Sequence, residues 1–310
     1  VTPSYNQGEF LEETIRSVLL QGYPNLEYII IDGGSTDHSI DIIKRYEPYL
    51  AYWSSEPDQG QADALNKGFR QASGEIVAFL NSDDLYCPGA LFFAARFLQT
   101  HPTYDFVCGQ PEFIDANSQP TRGFAELFQV ELNDVTMTEE CHIAQPSTFF
   151  RATVFQDIGY FDPALHYCFD YEFWLRAYLA GKPMTSQPQQ LSRFRLHNSS
   201  KTVNAYSQGK FDREFVAIYQ SALDSPTLSP ALRRGLQRGL ARAAFLLFIH
   251  LEATESLEAA RTAVLQIVRH QPDLLWKKET WRVLRLALLP LVVRKLLRRF
   301  KPSPALAAVS

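Results

Sequence analysis

Asp83 and Asp84 close the apolar run Ile76-Val77-Ala78-Phe79-Leu80, with Asn81 and Ser82 between. A short run of strand formers that stops at acidic residues reads as a buried strand delivering carboxylates to the carboxyl edge of a sheet. Open α/β sheets bind ligands at that edge. Carboxylates packed this closely repel each other and are costly to desolvate, so a divalent cation is their natural partner. A polar turn that happens to carry two Asp residues is the simpler alternative. Asp32 and Asp58 also fall just after predicted strands, at 26–31 and 50–54. Topology puts all four carboxylates on one edge, which stability alone explains poorly.

The elements that must hold these residues alternate. Phe10, Leu11, Thr14, Ile15, Val18 and Leu19 repeat at helical spacing, with Gly22 as a stop. After Gly33-Gly34-Ser35-Thr36-Asp37 a helix is expected with Ile40, Ile43 and Tyr46 inward. Another carries Ala62, Leu65, Phe69 and Ala72, and one after Pro88 presents Leu91, Phe92, Ala95 and Leu98. A further strand is expected at 105–109. Strand and helix in turn imply a parallel sheet flanked by helices. The opening Val1-Thr2-Pro3-Ser4-Tyr5-Asn6 reads as the end of a strand whose beginning is missing.

Composition sets the outer limits. The 310 residues are 46% hydrophobic and 21% charged, as in ordinary globular domains. A net charge of -4 argues for no nucleic-acid partner. Cys87, Cys108, Cys141 and Cys168 form no C-x-x-C pair and suit reduced thiols in a cytoplasmic protein. No apolar run approaches the roughly 20 residues of a membrane span. No G-x-G-x-x-G follows the first strand and no Walker lysine motif is present, so a nucleotide's phosphates would lean on a metal ion.

Several motifs together, in order, resemble the family 2 glycosyltransferases: Thr2-Pro3-Ser4-Tyr5-Asn6, Ile31-Asp32-Gly33-Gly34-Ser35-Thr36-Asp37, Asn66-Lys67-Gly68, Ala72-Ser73-Gly74-Glu75 and Leu80-Asn81-Ser82-Asp83-Asp84. The resemblance covers roughly the first two thirds of the chain. It implies the GT-A fold and mostly inverting transfer from a nucleotide-diphosphate sugar. By that resemblance Pro3, Tyr5, Asp32 and Asp58 contact the nucleotide, with Lys67 and Ser82 as further contacts. Lys67 alone reads equally as a solvated lysine. Asp83 matches the last carboxylate of the family's D-x-D metal motif. Asn81 stands at its first position, which puts more weight on Asp83 and Asp84 as ligands of Mn2+ or Mg2+. A uridine nucleotide is the first donor expected, with guanosine and thymidine forms open.

The later motifs carry the acceptor side. His142 to Arg151 resembles the segment before the family's acceptor-side helix, which implies Gln145 as an acceptor contact. Phe169-Asp170-Tyr171-Glu172-Phe173-Trp174 reads as a helix start with Phe173, Trp174 and Ala177 inward. An N-cap role explains Asp170 without chemistry; the resemblance implies the general base. Glu172 is a second candidate base or acceptor ligand, and Arg176, one turn on, its structural ion-pair partner. Arg195-Leu196-His197-Asn198-Ser199-Ser200 resembles the family's closing R-x-H-x-x-S segment, which implies His197 as a metal or diphosphate contact. A nucleotidyltransferase on a related fold and a degenerate scaffold are the alternatives to transfer onto a glycan or lipid-linked acceptor for a cell-surface polysaccharide.

Two regions divide the chain: 1–204 as the transferase unit and 205–310 as a helical region. Within the latter, Val292, Val293, Leu296, Leu297 and Phe300 fall on one side of a helical wheel. Arg294, Lys295, Arg298, Arg299 and Lys301 fall on the other. A basic amphipathic stretch at 281–301 suits peripheral attachment to an anionic membrane on its inner face, or a partner protein. The segment 123–140 reads either as a loop over the acceptor or as a surface excursion.

Overall fold

Short apolar and aromatic runs, with Ile29-Ile30-Ile31 at the centre, become the strands that hold the site. In this computed structural model residues 1–123, 128, 131–201 and 209–253 are described, with side chains to 247. β1 (Thr2–Ser4), β2 (Ile29–Asp32) and β3 (Tyr52–Ser55) form a parallel sheet in the order β1-β2-β3. α1 (Gly8–Leu19) and α2 (Ser39–Tyr46) make the crossovers that parallel neighbours require, and α3 (Gln61–Gln71) follows β3. The run at 76–80 is strand only over β4 (Ile76–Val77). Its remainder lies along β1, with the Val1 amine donating to Ala78 O at 2.9 Å and Leu80 N–H to Val1 O at 3.0 Å. Those two bonds join the first sheet to the second.

The second sheet is mixed. β4, β5 (Leu85–Tyr86), β6 (Phe106–Ile114), β7 (Thr148–Arg151) and β8 (Met184–Arg195) follow the order β4-β7-β6-β8-β5. β6 and β8 run parallel, while the other three pairs are antiparallel. β6 runs on to Ile114, well past the predicted end at Gly109. The parallel character predicted from strand–helix alternation thus belongs to the first half of the fold.

Helix faces follow the apolar periodicity with two corrections. α1 buries Phe10, Leu11, Thr14, Ile15 and Val18 as expected. α2 buries Ile42 and Ile43, so Ile42 takes the place expected for Ile40. α4 (Ala90–Thr100) buries Ala90, Ala94 and Leu98 and leaves Phe92 47% exposed. Small alanines one turn apart let α4 sit close to its neighbours, while Phe93 and Phe97 pack at the edge of the core and Phe92 turns outward.

The helix that carries Asp170 is anchored deeply in the core. α7 (Phe169–Leu179) buries Phe173, Trp174 and Ala177 in a cluster with Phe69, Phe79, Phe106 and Phe150. Truncating a buried aromatic of this kind to Ala costs about 3–5 kcal/mol. α6 (Val154–Ile158) packs on the same cluster through Val154 and Phe155.

On its other face α7 meets α5 (Asp134–Glu139), α8 (Lys210–Leu223) and α9 (Pro230–Ala253). Tyr171 on α7 donates to Met137 O and bonds Tyr219 on α8, at 3.1 and 2.9 Å. A methyl group at Gly239 would lie 2.5 Å from Thr138 O, so α9 can approach α5 only with glycine there. Among the described residues no helix is long and apolar enough to cross a membrane. The boundary at 204 and the basic stretch at 281–301 lie outside the described residues, as does part of 123–140.

Candidate active site

The loops after β1, β2 and β3 and the turn after Leu80 surround a cavity of about 610 Å³. Pro3, Tyr5, Asp58, Ser82, Asp83 and Asp84 all line it, so six of the predicted donor-side residues meet there. Tyr5 is 62% exposed, a free aromatic face at the cavity. Asp58 approaches Gly33 so closely that a methyl group at 33 would lie 2.6 Å from its carboxylate. Its Oδ1 accepts from Gly60 N at 2.8 Å, and burial raises its pKa above the ordinary Asp range. Gly33 therefore gives the room that the Asp58 carboxylate occupies, while Gly34, at φ +82°, makes the turn.

Asp32 is placed otherwise. It is 0% exposed, and its carboxylate accepts from Gly34 N, Ser35 N, Ser35 Oγ and Ser55 Oγ. Those four donors make it the brace of the β2–α2 loop, not an open nucleotide contact. Lys67 also turns aside: it pairs with Glu56 at 3.0 Å and Asp63 at 3.6 Å and does not line the cavity. Sequence position alone could not separate these two from their neighbours, because side-chain direction decides it.

The acidic turn splits into two roles. Asp83 Oδ2 lies 3.0 Å from His197 Nε2, whose Nδ1 bonds Ser199 Oγ at 2.8 Å. Asp84 is 2% exposed; its Oδ1 accepts from Arg195 N at 2.8 Å and its Oδ2 lies 3.4 Å from Asn81 Nδ2. Burial, then the adjacent Asp83 charge, pushes its pKa well above the ordinary range. Asp84 therefore ties the turn to β8, which corrects its expected role as a metal ligand. Asn81 donates to Gln145 Oε1 at 2.9 Å and accepts from Gln61 Nε2 at 2.6 Å. A carboxylate at 81 could not donate to Gln145, which gives the amide a structural reason.

Arg195, quoted in the closing motif without a role, holds the turn from beneath. Its side chain is 0% exposed. It donates to Asp83 O, Asp115 O, Ser118 Oγ and Glu13 Oε2, and its guanidinium lies 4.9 Å from the centre of the Phe10 ring.

A second cavity of about 260 Å³ lies beside the first, walled by Phe113, Phe194, Tyr167 and Phe169 and containing Gln145 and Asp170. Asp170 is the second residue of α7, not its N-cap; Cys168 takes that position without a side-chain cap bond. Its carboxylate accepts from Tyr171 N at 2.7 Å, and burial raises its pKa to about 6. Glu214 on α8 accepts from His166, Tyr167 and Cys168 N–H at 2.7–2.8 Å, fixing the loop that enters α7. Its charge also pushes the Asp170 pKa upward. The helical region is thus a structural part of the site.

Gln145 donates to Phe79 O at 2.7 Å, so both ends of its amide are engaged within the protein. Glu172 lines neither cavity: Arg176 grips both its oxygens at 2.7 and 2.8 Å, which confirms the ion pair and removes the acceptor role. The two cavities share Gln61, Asn81, Phe194 and Lys201. Lys201, which sequence reasoning passed over, stands four residues after His197 in the closing motif. Among the described residues no three or more His, Cys, Asp or Glu side chains converge as a metal site.

A mixed sheet with one polar and one aromatic cavity at its strand ends is the architecture of a GT-A transferase, and similarity to known proteins agrees. Residues 1–159 match the domain described as glycosyl transferase family 2. The chain belongs to that family and is a glycosyltransferase. An uncharacterized glycosyltransferase of Rickettsia typhi is 29% identical over 219 residues, 67% of this chain and 66% of that relative. The chain therefore matches just under two thirds of that relative's length. A putative teichuronic acid biosynthesis glycosyltransferase of Bacillus subtilis, TuaG, is 44% identical over 89 residues, 27% of this chain and 34% of TuaG. S. aureus TarS in complex with UDP superposes with a TM-score of 0.67 at 21% identity, covering 96% of this chain and 85% of that one. At that identity the likeness speaks for the fold alone.

Proposed function

We propose that the chain transfers a sugar, with inversion, from a nucleotide-diphosphate donor in the larger cavity to a hydroxyl of a glycan or lipid-linked acceptor in the aromatic one. The observation that carries this reading is the junction at Asn81, Gln61, Phe194 and Lys201, with Asp83 on one side and Asp170 on the other. Tyr5 offers its ring to the base, and Asp58 and Ser82 line the path toward the diphosphate. Asp170, ionised above about pH 6, takes the proton from the acceptor hydroxyl as that oxygen attacks the anomeric carbon. The bond to the diphosphate breaks, and its oxygen leaves with the electron pair. A single displacement from the opposite face inverts the centre. Proton coupling constants of the product sugar test this, and a retained configuration overturns it.

Asp83 and His197 offer one carboxylate and one imidazole nitrogen at a common point, a donor set that suits Mn2+ or Mg2+ when diphosphate oxygens and water complete the shell. Bound there, such an ion would supply Lewis-acid stabilisation of the leaving diphosphate. Uridine diphosphate is the first donor form to test. TuaG's name, and the motifs of the cell-surface family, support a surface polysaccharide as the product's destination. In this reading 1–204 is the transferase unit, the described helices at 210–253 brace it, and the basic stretch at 281–301 serves a peripheral membrane or partner contact on the cytoplasmic side.

A thermal-shift panel of UDP, GDP and dTDP, each with and without manganese, tests the donor site. A nucleotide at about 100 times its dissociation constant adds roughly 2.7 kcal/mol of stability. A metal-dependent shift with one nucleotide is expected. No shift with any of the three would favour a scaffold without catalysis.

A further inference from the structure

Lys201 lies where the two cavities meet and lines both of them. Among the described residues its ammonium donates to Gln61 Oε1 at 2.9 Å and to His166 O at 3.2 Å, both uncharged acceptors. Asp58, Asp83, Asp170 and Glu214 surround it closely enough to act on its charge. Desolvation outweighs them and lowers its pKa. Lys201 is thus a partly desolvated cation held in place by neutral groups.

The charge balance of the donor cavity gives that cation a purpose. Asp58 and Asp83 line the cavity, and a diphosphate entering it brings more negative charge. Arg195 also lines it, but its guanidinium is committed to Glu13, Asp83 O, Asp115 O and Ser118. Lys67, the lysine that the motif pattern favours, is turned to Glu56 and Asp63. Among the described residues that line the cavity, Lys201 therefore remains to face the diphosphate.

Position along the cavity identifies the part of the donor it meets. Pro3 in β1 and Tyr5 just after it lie on the proposed nucleoside side, and Lys201 belongs to the side shared with Asp170's cavity. The bond that breaks must lie between the nucleotide and the acceptor hydroxyl, hence at this junction. A cation beside the departing oxygen gains interaction energy as charge builds there, which lowers the barrier to transfer.

We infer that Lys201 is the chain's own cation for the diphosphate leaving group, binding the terminal phosphate next to the acceptor cavity. This rests on the proposed donor site, and it predicts a residue-specific dependence on phosphate that a bracing role lacks. Lysine binds phosphate as a point charge, so arginine at 201 should largely replace it.

Titration calorimetry of the full chain with UDP and with uridine, in manganese, separates the possibilities. Lys201→Met should weaken UDP about tenfold, as loss of a charge-assisted hydrogen bond does, while uridine binds as to the wild type. Lys201→Arg should restore most of the UDP affinity. Equal losses for UDP and uridine would assign Lys201 to bracing Gln61 and His166, and unchanged UDP affinity would also overturn the inference. Failure of the wild type itself to bind UDP, with GDP and dTDP equally silent, would instead strike the donor-site reading, and the Lys201 inference with it.

Discussion

The two cavities share a wall but use carboxyl groups in opposite ways. On the donor side Asp83 meets His197 at the rim of a wide polar space, in reach of a cation. On the acceptor side Asp170 stands among aromatic rings, and burial raises its pKa to about 6. A metal ligand has to stay ionised, whereas a proton acceptor is most effective with a pKa near the working pH. In the proposed reading one side-chain type serves two chemistries, because one cavity is lined by polar groups and the other by aromatic ones.

The contrast predicts that the acceptor side can be disabled without harming the donor side. Asp170→Asn should lower kcat by about 10²–10⁴-fold and leave calorimetric UDP binding unchanged. In the wild type, log kcat/KM should fall with a slope near one below about pH 6, because the carboxylate that accepts the proton becomes protonated as pH drops. That limb should be missing from the residual activity of Asp170→Asn. A limb retained in the variant would transfer the base role elsewhere.

The reverse disruption begins at Arg195. Replacing it with Met leaves Glu13 with Ser118 alone and takes the Arg195 donor from the Asp83 and Asp115 carbonyls. A loss of about 1–3 kcal/mol in urea unfolding is expected, because backbone carbonyls at the turn lose a charged hydrogen-bond donor. Nucleotide affinity should fall with it, since the turn that carries Asp83 loses its support. A stability change below ~1 kcal/mol would show that the turn holds itself.

The smallest effect is expected where the acceptor role was withdrawn. Glu172→Gln should cost under ~1 kcal/mol, because its pair with Arg176 is partly exposed, and should leave kcat/KM unchanged. A tenfold loss in kcat/KM without a change in melting temperature would return Glu172 to the acceptor site.

Much of this molecule is legible along the chain. The strand starts, the inward faces of α1, α3 and α7, and the acidic strand ends follow from apolar periodicity and from where it stops. Family motifs add the donor loop and the base-bearing helix. These features are local, so a stretch of ten residues contains the cause as well as the effect. Partnership between distant residues is not local. Asp32 and Asp83 both end apolar runs, yet one is closed by two serines and two amides and the other meets His197 from β8's far end. The motif pattern favours Lys67 and offers nothing for Lys201, and only the fold turns the first to Glu56 and the second to the junction. Residue type and spacing determined which groups could do the chemistry. Tertiary structure decided which carboxylates remain open to it, because hydrogen bonds across 20 to 114 positions of sequence consume the others or aim them.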